Sequence, residues 1–504
     1  MPVVPRPIEP VQDCKALYQL LSECQQHLNE SRNESRNESR NQLLSSQLKP
    51  EAPSDCLWIS ISLEIDPVDP LLALQQFNTS SQPHFYFEKP YEGEAIAAFG
   101  NASVLYTGGD RRFLKAQKFL QRSLDNLFHQ PPKHPSKASA VITTTPADLR
   151  YFCSFTFFDE THTIQSPFAS AIVLLPEWQI LRQPDRCVAT ANVVLYADTN
   201  LTTLTDSLWL KFQKIQQANY SLLGYTNYDP ITPQSWNFLE INDFQKAVTS
   251  ALHSIHKNHL QKLVLSHAVD VISRRPFEWL FSLHNLRQIY PDCCIFSVNQ
   301  GTGKTFIGAS PERLVSVRNQ QLTTDALAGS APRGRTARED AAFAQLLMST
   351  PKEQHEHQVV VDFLRDRLFQ LGLSPQLPAA PDLLRLSNIQ HLHTPIHAHL
   401  PAGLHPLELV DALHPTPAVA GLPRDIACEE IRRYEGFGRS LYAAPLGWVD
   451  AAGNAEFIVG IRSAMLGGDR ARLYAGAGIV AGSDPARELA EVKLKLQALL
   501  KALV

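Results

Sequence analysis

The chain has 504 residues, 44% of them hydrophobic, so it can bury a large core and is long enough for two or three domains. Lys and Arg number 46 against 50 Asp and Glu, a formal net charge of -4, which offers neither the basic excess of a nucleic-acid binder nor an acidic scaffold tail. No apolar run reaches the ~18 residues that span a bilayer, and no charged N-terminal segment leads into an apolar one, so the expectation is a cytoplasmic globular protein without a membrane partner.

Residues 1–56 read as an N-terminal extension. A helical patch over Ala16–Leu28 precedes the tandem repeat NESR-NESR-NESR, Asn29 to Arg40. Its four-residue period nearly matches a helical turn, so Glu and Arg could stripe a solvated helix; equally, it has no apolar face to offset ordering entropy and could be disordered. Asn29, Asn33 and Asn37 each open an N-x-S sequon, which carries no meaning without a secretory signal.

Residues 57–242 read as short β-rich runs separated by Pro- and Gly-rich turns: Trp58–Leu63, His84–Phe87, Ala95–Gly100, Ala140–Thr144, Tyr151–Phe158, Ala169–Leu175 and Val188–Tyr196. Helical patterns cover Phe113–Phe128 and Ser207–Gln217. With no regular βαβ alternation, the fold class is α+β, large and mostly antiparallel sheets in a sandwich with helices packed outside.

Residues 243–504 are denser in motifs. A helix (Phe244–His256) leads to a strand (Lys262–Ile272) and a further helix (Phe277–Tyr290). A strand pair near Cys294–Val298 and Thr305–Gly308 and a hairpin through Leu314–Leu327 follow. GTGK at Gly301–Lys304 is too short for a phosphate-cradling loop and reads as a hairpin turn. The long helix Lys352–Leu371 buries Val360, Phe363, Leu364, Leu368 and Leu371. A single meander spans Gly447–Val480, turning at Gly453-Asn454 and Gly467-Gly468. Eight cysteines are scattered without CxxC spacing, so they read as reduced thiols and core filler.

The C-terminal stretch RLYAGAGIVAGSDPARELAEVKLKL, Arg472–Leu496, joins an alternating strand to a helix through a Gly-Ser-Asp-Pro turn. Ser483 or Asp484 can cap that helix, with Pro485 in its first turn where a missing N–H costs nothing. Leu489, Val492, Leu496, Leu499 and Leu503 make its buried stripe. Glu488, Glu491 and Lys495 fall on another stripe, two carboxylates and an ammonium that could hold a metal and an anion together.

The long helix repeats the pattern: in KEQHEH, Glu353 and Glu356 stand three apart, as Glu488 and Glu491 do. One such pair near a helix start would merely complement the dipole. Glu356, however, lies four residues before Val360 on the inward face, and two such ends facing each other would make an oxygen-rich Mg²⁺ site. His355 and His357 flank Glu356 on different faces, unlike HExxH, and read as exposed or core histidines.

Seven blocks in consistent order, FIGASPERL (Phe306–Leu314), LAGSAPRG (Leu327–Gly334), KEQHEHQVVVD (Lys352–Asp362), LHPTPAVAGLP (Leu413–Pro423), GWVD (Gly447–Asp450), IVGIRSA (Ile458–Ala464) and YAGAGIVAGSDPARELAEVKLK (Tyr474–Lys495), resemble the chorismate-utilising enzymes. Within that family the chain is most similar to the isochorismate synthases. The resemblance covers Asp243–Val504, and His84–Gly100 resembles the family's weaker N-terminal signature.

The resemblance implies a Mg²⁺-dependent isomerisation of chorismate to isochorismate, with water adding at C2 and the C4 hydroxyl leaving. Lys262 matches the family's general base, which must be neutral to act; a desolvated or cation-rich pocket promotes that form. Glu312 matches the general acid, which must hold its proton near neutral pH. The metal ligands carry over to Glu356 and Glu491, with Glu353 and Glu488 nearby or water-bridged. Arg462 and Lys495 match positions that take the enolpyruvyl carboxylate. Gly329, Ala418 and Gly476 match pocket-lining positions, and His414 is either a further site residue or a buried structural histidine.

Two details sort the subfamily. Anthranilate synthases resemble the chain but carry Gln where Lys262 stands, and aminodeoxychorismate synthases place a nucleophilic Lys at Ala328. Lys262 with Ala328 therefore implies water addition, with no amidotransferase subunit; a monomer is expected. Salicylate synthase, which also eliminates pyruvate, is the second reading, and a catalytically silent binding subunit the third. The family commonly has Arg where this chain has His267, which leaves the charge near Lys262 open.

Overall fold

The protein is described here from a computed structural model covering residues 10–41, 56–77, 81–127, 142–143, 148–159, 167–218, 236–387 and 389–503. Among these residues two antiparallel sheets carry the chain. The larger runs, in spatial order, Asn237–Glu240, Lys262–Ile272, Arg470–Ile479, Ser463–Gly467, Thr305–Ser310, Cys294–Gln300, Pro83–Lys89, Glu94–Phe99, Trp178–Arg182, Cys187–Tyr196, Cys56–Ile65 and Ile142–Thr143. The short Gly421–Leu422 also pairs with Lys262–Ile272. The smaller sheet runs Asp382–Arg385, Ile389–His399, Gln321–Pro332, Arg313–Arg318, Ala455–Val459, Pro445–Asp450, Arg150–Phe155, Ala171–Leu175 and Ser103–Thr107.

This is the expected α+β architecture, and its strands explain their own sequences. Cys294–Gln300, Thr305–Ser310 and Ala455–Val459 are buried at every position, so they are mostly apolar or small, and the exceptions Asn299, Gln300 and Glu456 are buried polar residues. Early and late parts of the chain share both sheets: Pro83–Lys89 pairs with Cys294–Gln300, and Arg150–Phe155 with Pro445–Asp450. Phe85 of the larger sheet meets Phe152 of the smaller with ring centroids 5.5 Å apart, one of the contacts that close the core between them.

The chain changes sheet at two places that matter for the site. It leaves Thr305–Ser310 through Pro311 and Glu312 to enter Arg313–Arg318, and it returns from Ala455–Val459 through Gly460–Arg462 to Ser463–Gly467. The expected single meander is therefore split between sheets. The physical reason is local: a Cβ at Gly460 would lie 2.7 Å from the Leu441 carbonyl, so only glycine passes there, and Arg462 adopts φ 48 to redirect the strand.

Helices flank the sheets. Pro351–Gln370 packs on Gln321–Pro332, and Pro485–Leu500 on Arg470–Ile479. Asp484 caps the latter, its side chain accepting from the Arg487 amide at 2.9 Å. Helix Pro10–Asn41 runs through the NESR repeat, with Leu17, Leu21, Cys24 and Leu28 buried at helical spacing. Of the strand expected over 140–144, only Ile142–Thr143 lies within the described residues, and Phe128 lies outside them. GTGK forms the expected hairpin turn, with Gly301 and Gly303 both at positive φ. Helix Pro70–Phe77 and strands Ser103–Thr107 and Trp178–Arg182 were not legible, being short pieces without a sustained period. None of the eight cysteines forms a disulfide, and no described helix is long and apolar enough to cross a membrane.

One buried ion pair fastens the elements around the later part of the chain. Arg439 donates to Glu435 at 2.9 and 2.5 Å, to the Val419 carbonyl at 2.7 Å and to the Val264 carbonyl at 2.8 Å, while Glu435 accepts from the Ser266 amide at 2.7 Å. Removing either partner strands a charge in the core. Arg439→Ala is expected to destabilise the fold by about 3–5 kcal/mol in urea denaturation; a loss below about 1 kcal/mol would show that the pair is not holding these elements.

Candidate active site

A cavity opens between the two sheets, under the N-terminal turns of helices Pro351–Gln370 and Pro485–Leu500. Lys262, Glu312, Gly329, Ala418, Arg462, Gly476, Lys495, Glu353, Glu356, Glu488 and Glu491 all line it. Residues separated by up to 233 positions are thus brought to one place by the sheet crossings and the two helix starts.

Lys262 begins the strand Lys262–Ile272 and is almost fully buried, at 1% exposure. Its Nζ lies 2.8 Å from Glu356 Oε1, an ion pair, and makes no other close polar contact among the described residues. Gly478, on the adjacent strand, makes the pair possible. A Cβ there would lie 2.5 Å from Glu356 Oε1 and 3.2 Å from Lys262 Cε, so a side chain would evict the carboxylate.

Glu312 sits in the first sheet crossing. Its amide donates to Ser310 Oγ at 3.2 Å and its carbonyl accepts from the Val459 amide at 3.1 Å, so its backbone is fixed from both sides. The side chain is buried. That burial pushes its pKa up to about 8, with Lys262 pulling down and Asp325 pushing up by smaller amounts. Arg313 beside it turns instead to Asp325 and Glu456, at 3.6 and 3.8 Å.

The carboxylates at the two helix starts are unequal. Burial, then the charge of Glu356, raises the Glu353 pKa, and burial raises that of Glu488. Glu491 is lowered by Lys495, whose Nζ is 2.8 Å away. Among the described residues no three His, Cys, Asp or Glu side chains converge to ligating distance, because the carboxylates are turned toward lysines. The donor set is nonetheless oxygen only, crowded and partly buried, which suits a hard divalent cation that keeps some of its water. His355 is exposed and His357 donates to or accepts from Thr394 Oγ1 at 2.7 Å, so neither imidazole joins this set.

A second, cationic wall faces the acids. Lys495 Nζ donates to the Gly476 carbonyl at 3.0 Å, and a Cβ at Gly476 would come within 2.9 Å of the Tyr442 hydroxyl. Gly329, at φ 75, forms the bulge in the pairing of Gln321–Pro332 with Ile389–His399, and the next amide, Ser330 N–H, donates to Glu353 Oε2 at 3.3 Å. Arg462 is held by His391. The His391 ring meets Ser330 Oγ at 2.9 Å through Nδ1 and Arg462 Nη2 at 3.2 Å through Nε2. Burial and then Arg462 push the His391 pKa well down, which leaves the ring neutral and able to accept from the guanidinium.

The sequence does not single out His391, Lys352 or Tyr442, which also line the cavity. His391 lies in a strand with histidines at 391, 393, 397 and 399, and it is the one paired with Ser330 beside the Gly329 bulge. His267 has no bearing on Lys262. It is an odd number of residues along the same strand, so it faces away and bonds Asn242 Oδ1 at 2.9 Å. His414 is structural: it is buried outside the cavity and bonds the Phe157 carbonyl at 3.1 Å.

Comparison with known proteins adds an independent observation. Residues 18–504 match the family model described as chorismate binding enzyme. The chain is 34% identical over 454 residues to the salicylate biosynthesis isochorismate synthase of Pseudomonas aeruginosa, covering 88% of this chain and 90% of that protein. It is 28% identical over 451 residues to isochorismate synthase MenF of Bacillus subtilis, covering 88% and 93%. The solved menaquinone-specific isochorismate synthase MenF of Escherichia coli superposes with TM-score 0.70 at 27% identity, over 93% of this chain and 99% of that one.

The Glu312 environment makes a prediction about stability alone. Its folded pKa of about 8 lies above the ordinary 4.5, so folding is favoured below pH 4.5 and loses that advantage as pH rises toward 8, where only the unfolded chain ionises freely. Glu312→Gln removes the penalty. Its stability relative to wild type should therefore climb between pH 5 and pH 8, by on the order of 3–5 kcal/mol in urea denaturation. A difference independent of pH would mean that the carboxyl ionises normally.

Proposed function

The chain belongs to the chorismate-binding enzyme family, and on that premise we propose that it is an isochorismate synthase, which isomerises chorismate by adding water at C2 and releasing the hydroxyl at C4. The observation that carries the reading is one cavity lined by a buried lysine and a buried carboxyl that keeps its proton up to about pH 8. A silent binding module would need neither. The routes named for the relatives, menaquinone and salicylate biosynthesis, are the ones this product would supply.

In this reading Lys262 parts from Glu356 and, as the free amine, takes a proton from the water that attacks C2. Glu312 gives its proton to the C4 hydroxyl as that group departs as water, so one water enters and one leaves. The proton then held by Lys262 must return to Glu312 through solvent before the next turnover. In the reverse direction the two residues exchange roles. Arg462 offers a planar fork to the enolpyruvyl carboxylate, kept in aim by neutral His391, and Lys495 adds a point charge. Small residues at Ala328, Gly329, Ala418 and Gly476 let the ring lie close to the backbone.

The residues fit a resident Mg²⁺ held by Glu356 and Glu491, with Glu353 and Glu488 binding directly or through water. Bound there, the ion would neutralise and anchor the ring carboxylate. Ala328 leaves no nucleophilic lysine, so the reading has water as nucleophile and no amidotransferase partner. A cytoplasmic address suits a protein whose cysteines form no disulfide.

Pure protein with chorismate and Mg²⁺ should yield isochorismate without pyruvate; stoichiometric pyruvate with salicylate would replace this reading by salicylate synthase. Lys262→Ala and Glu312→Gln should each lower kcat by about 10²–10⁴-fold while circular dichroism stays native. Normal turnover in either would remove its role. Because the forward step needs Glu312 protonated, kcat/KM should fall on the alkaline side with an apparent pKa of about 8. A rate still rising at pH 9 would contradict that.

A further inference from the structure

Three ammonium groups enter the cavity among four carboxylates, and they share them unevenly. Lys262 pairs with Glu356 and Lys495 with Glu491, each at 2.8 Å. Lys352 differs. It stands in the first turn of Pro351–Gln370, its side chain 36% exposed, with Nζ 3.6 Å from Glu488 Oε1 and 3.9 Å from Glu353 Oε1. It therefore touches one carboxylate from each helix start, and the reaction gives it no task. Contacts of 3.6–3.9 Å are ionic rather than hydrogen-bonded, so the ammonium is held by charge alone.

We propose that Lys352 is the internal counter-cation of the carboxylate cluster: it joins the two helix starts while no metal is bound, weakens the binding of free Mg²⁺, and makes that binding depend on the carboxylate that the substrate brings. The inference rests on the proposed metal site and concerns how strongly it is filled. Two opposite helix starts, each rich in acid, repel unless a cation lies between them. Lys352 supplies one positive charge where the divalent ion would supply two. A divalent ion arriving beside the ammonium is repelled by it, and at separations of about 5 Å that repulsion changes affinity by about tenfold even at a high effective dielectric. A dianionic substrate offsets the repulsion, so metal and substrate bind with positive coupling.

The test is a titration of metal-stripped, substrate-free full-length protein with Mn²⁺, followed by electron paramagnetic resonance, for wild type, Lys352→Met and Lys352→Arg. Lys352→Met should bind Mn²⁺ about tenfold more tightly than wild type, and Lys352→Arg within about twofold of it. Chorismate should tighten Mn²⁺ binding in wild type and do so by a smaller factor in Lys352→Met. Unchanged or weaker Mn²⁺ binding by Lys352→Met overturns the proposal. A raised KM for chorismate with unchanged Mn²⁺ affinity also overturns it, and makes Lys352 a substrate-binding residue. If wild type binds no Mn²⁺ even with chorismate present, the metal site itself is refuted, a result distinct from either of these. Should Lys352→Met not fold, Lys352→Gln is read in the same way.

Discussion

The arrangement depends on one ion pair, Lys262 with Glu356, lying over the bare backbone of Gly478. Lys262 belongs to the larger sheet, whereas Glu356 belongs to a helix that packs on the smaller one. The pair therefore bridges the two layers at the floor of the cavity. Burying two charges costs several kcal/mol of desolvation per ion, and a well-packed apolar pair of similar volume would often be as stable. An ion pair at such a place is poorly explained by stability. The proposed reading explains it, with a lysine that meets water and a carboxylate that meets a cation.

Around that pair the protein separates acids that should be charged from one that should not. Glu312 sits in a sheet crossing, buried, and keeps its proton to about pH 8. Glu491, near the rim and beside Lys495, is held below the usual carboxylate range. The opposing shifts are set by burial in one case and by a neighbouring cation in the other. In the proposed reading they divide the labour between proton transfer and charge binding. Neutral His391 extends the scheme, since a charged imidazole would repel Arg462 instead of steadying it.

Much of the fold was legible because its signals are local. The Asp484 cap, the Pro485 start and the Leu489, Val492, Leu496 stripe follow from side-chain chemistry within one turn, and the helix Pro485–Leu500 forms as they require. The GTGK turn and the hairpin through Leu314–Leu327 are equally short-range. Legibility failed where the chain changes layer. Gly447–Val480 reads as one meander because alternation is the same in either sheet; nothing in the periodicity says that Gly460–Arg462 carries the strand across.

The sequence by itself determined the family resemblance, the antiparallel class and which acids, lysines and glycines belong to the recurring motifs, since these are properties of residue type and spacing. Only the tertiary structure decided their environments. Lys262 and Glu312 look like ordinary strand-end charges in the sequence, and their burial comes from elements distant along the chain. His267 reads as a neighbour of Lys262 but is turned away by strand parity, while His391, unmarked among four histidines, is the one paired with Ser330 beside the Gly329 bulge. Lys352 is likewise one more helix lysine until the second helix start brings Glu488 to it. Charge and proton affinity depend on desolvation and on neighbours a few ångströms away, and a linear sequence contains neither until the two sheets have closed.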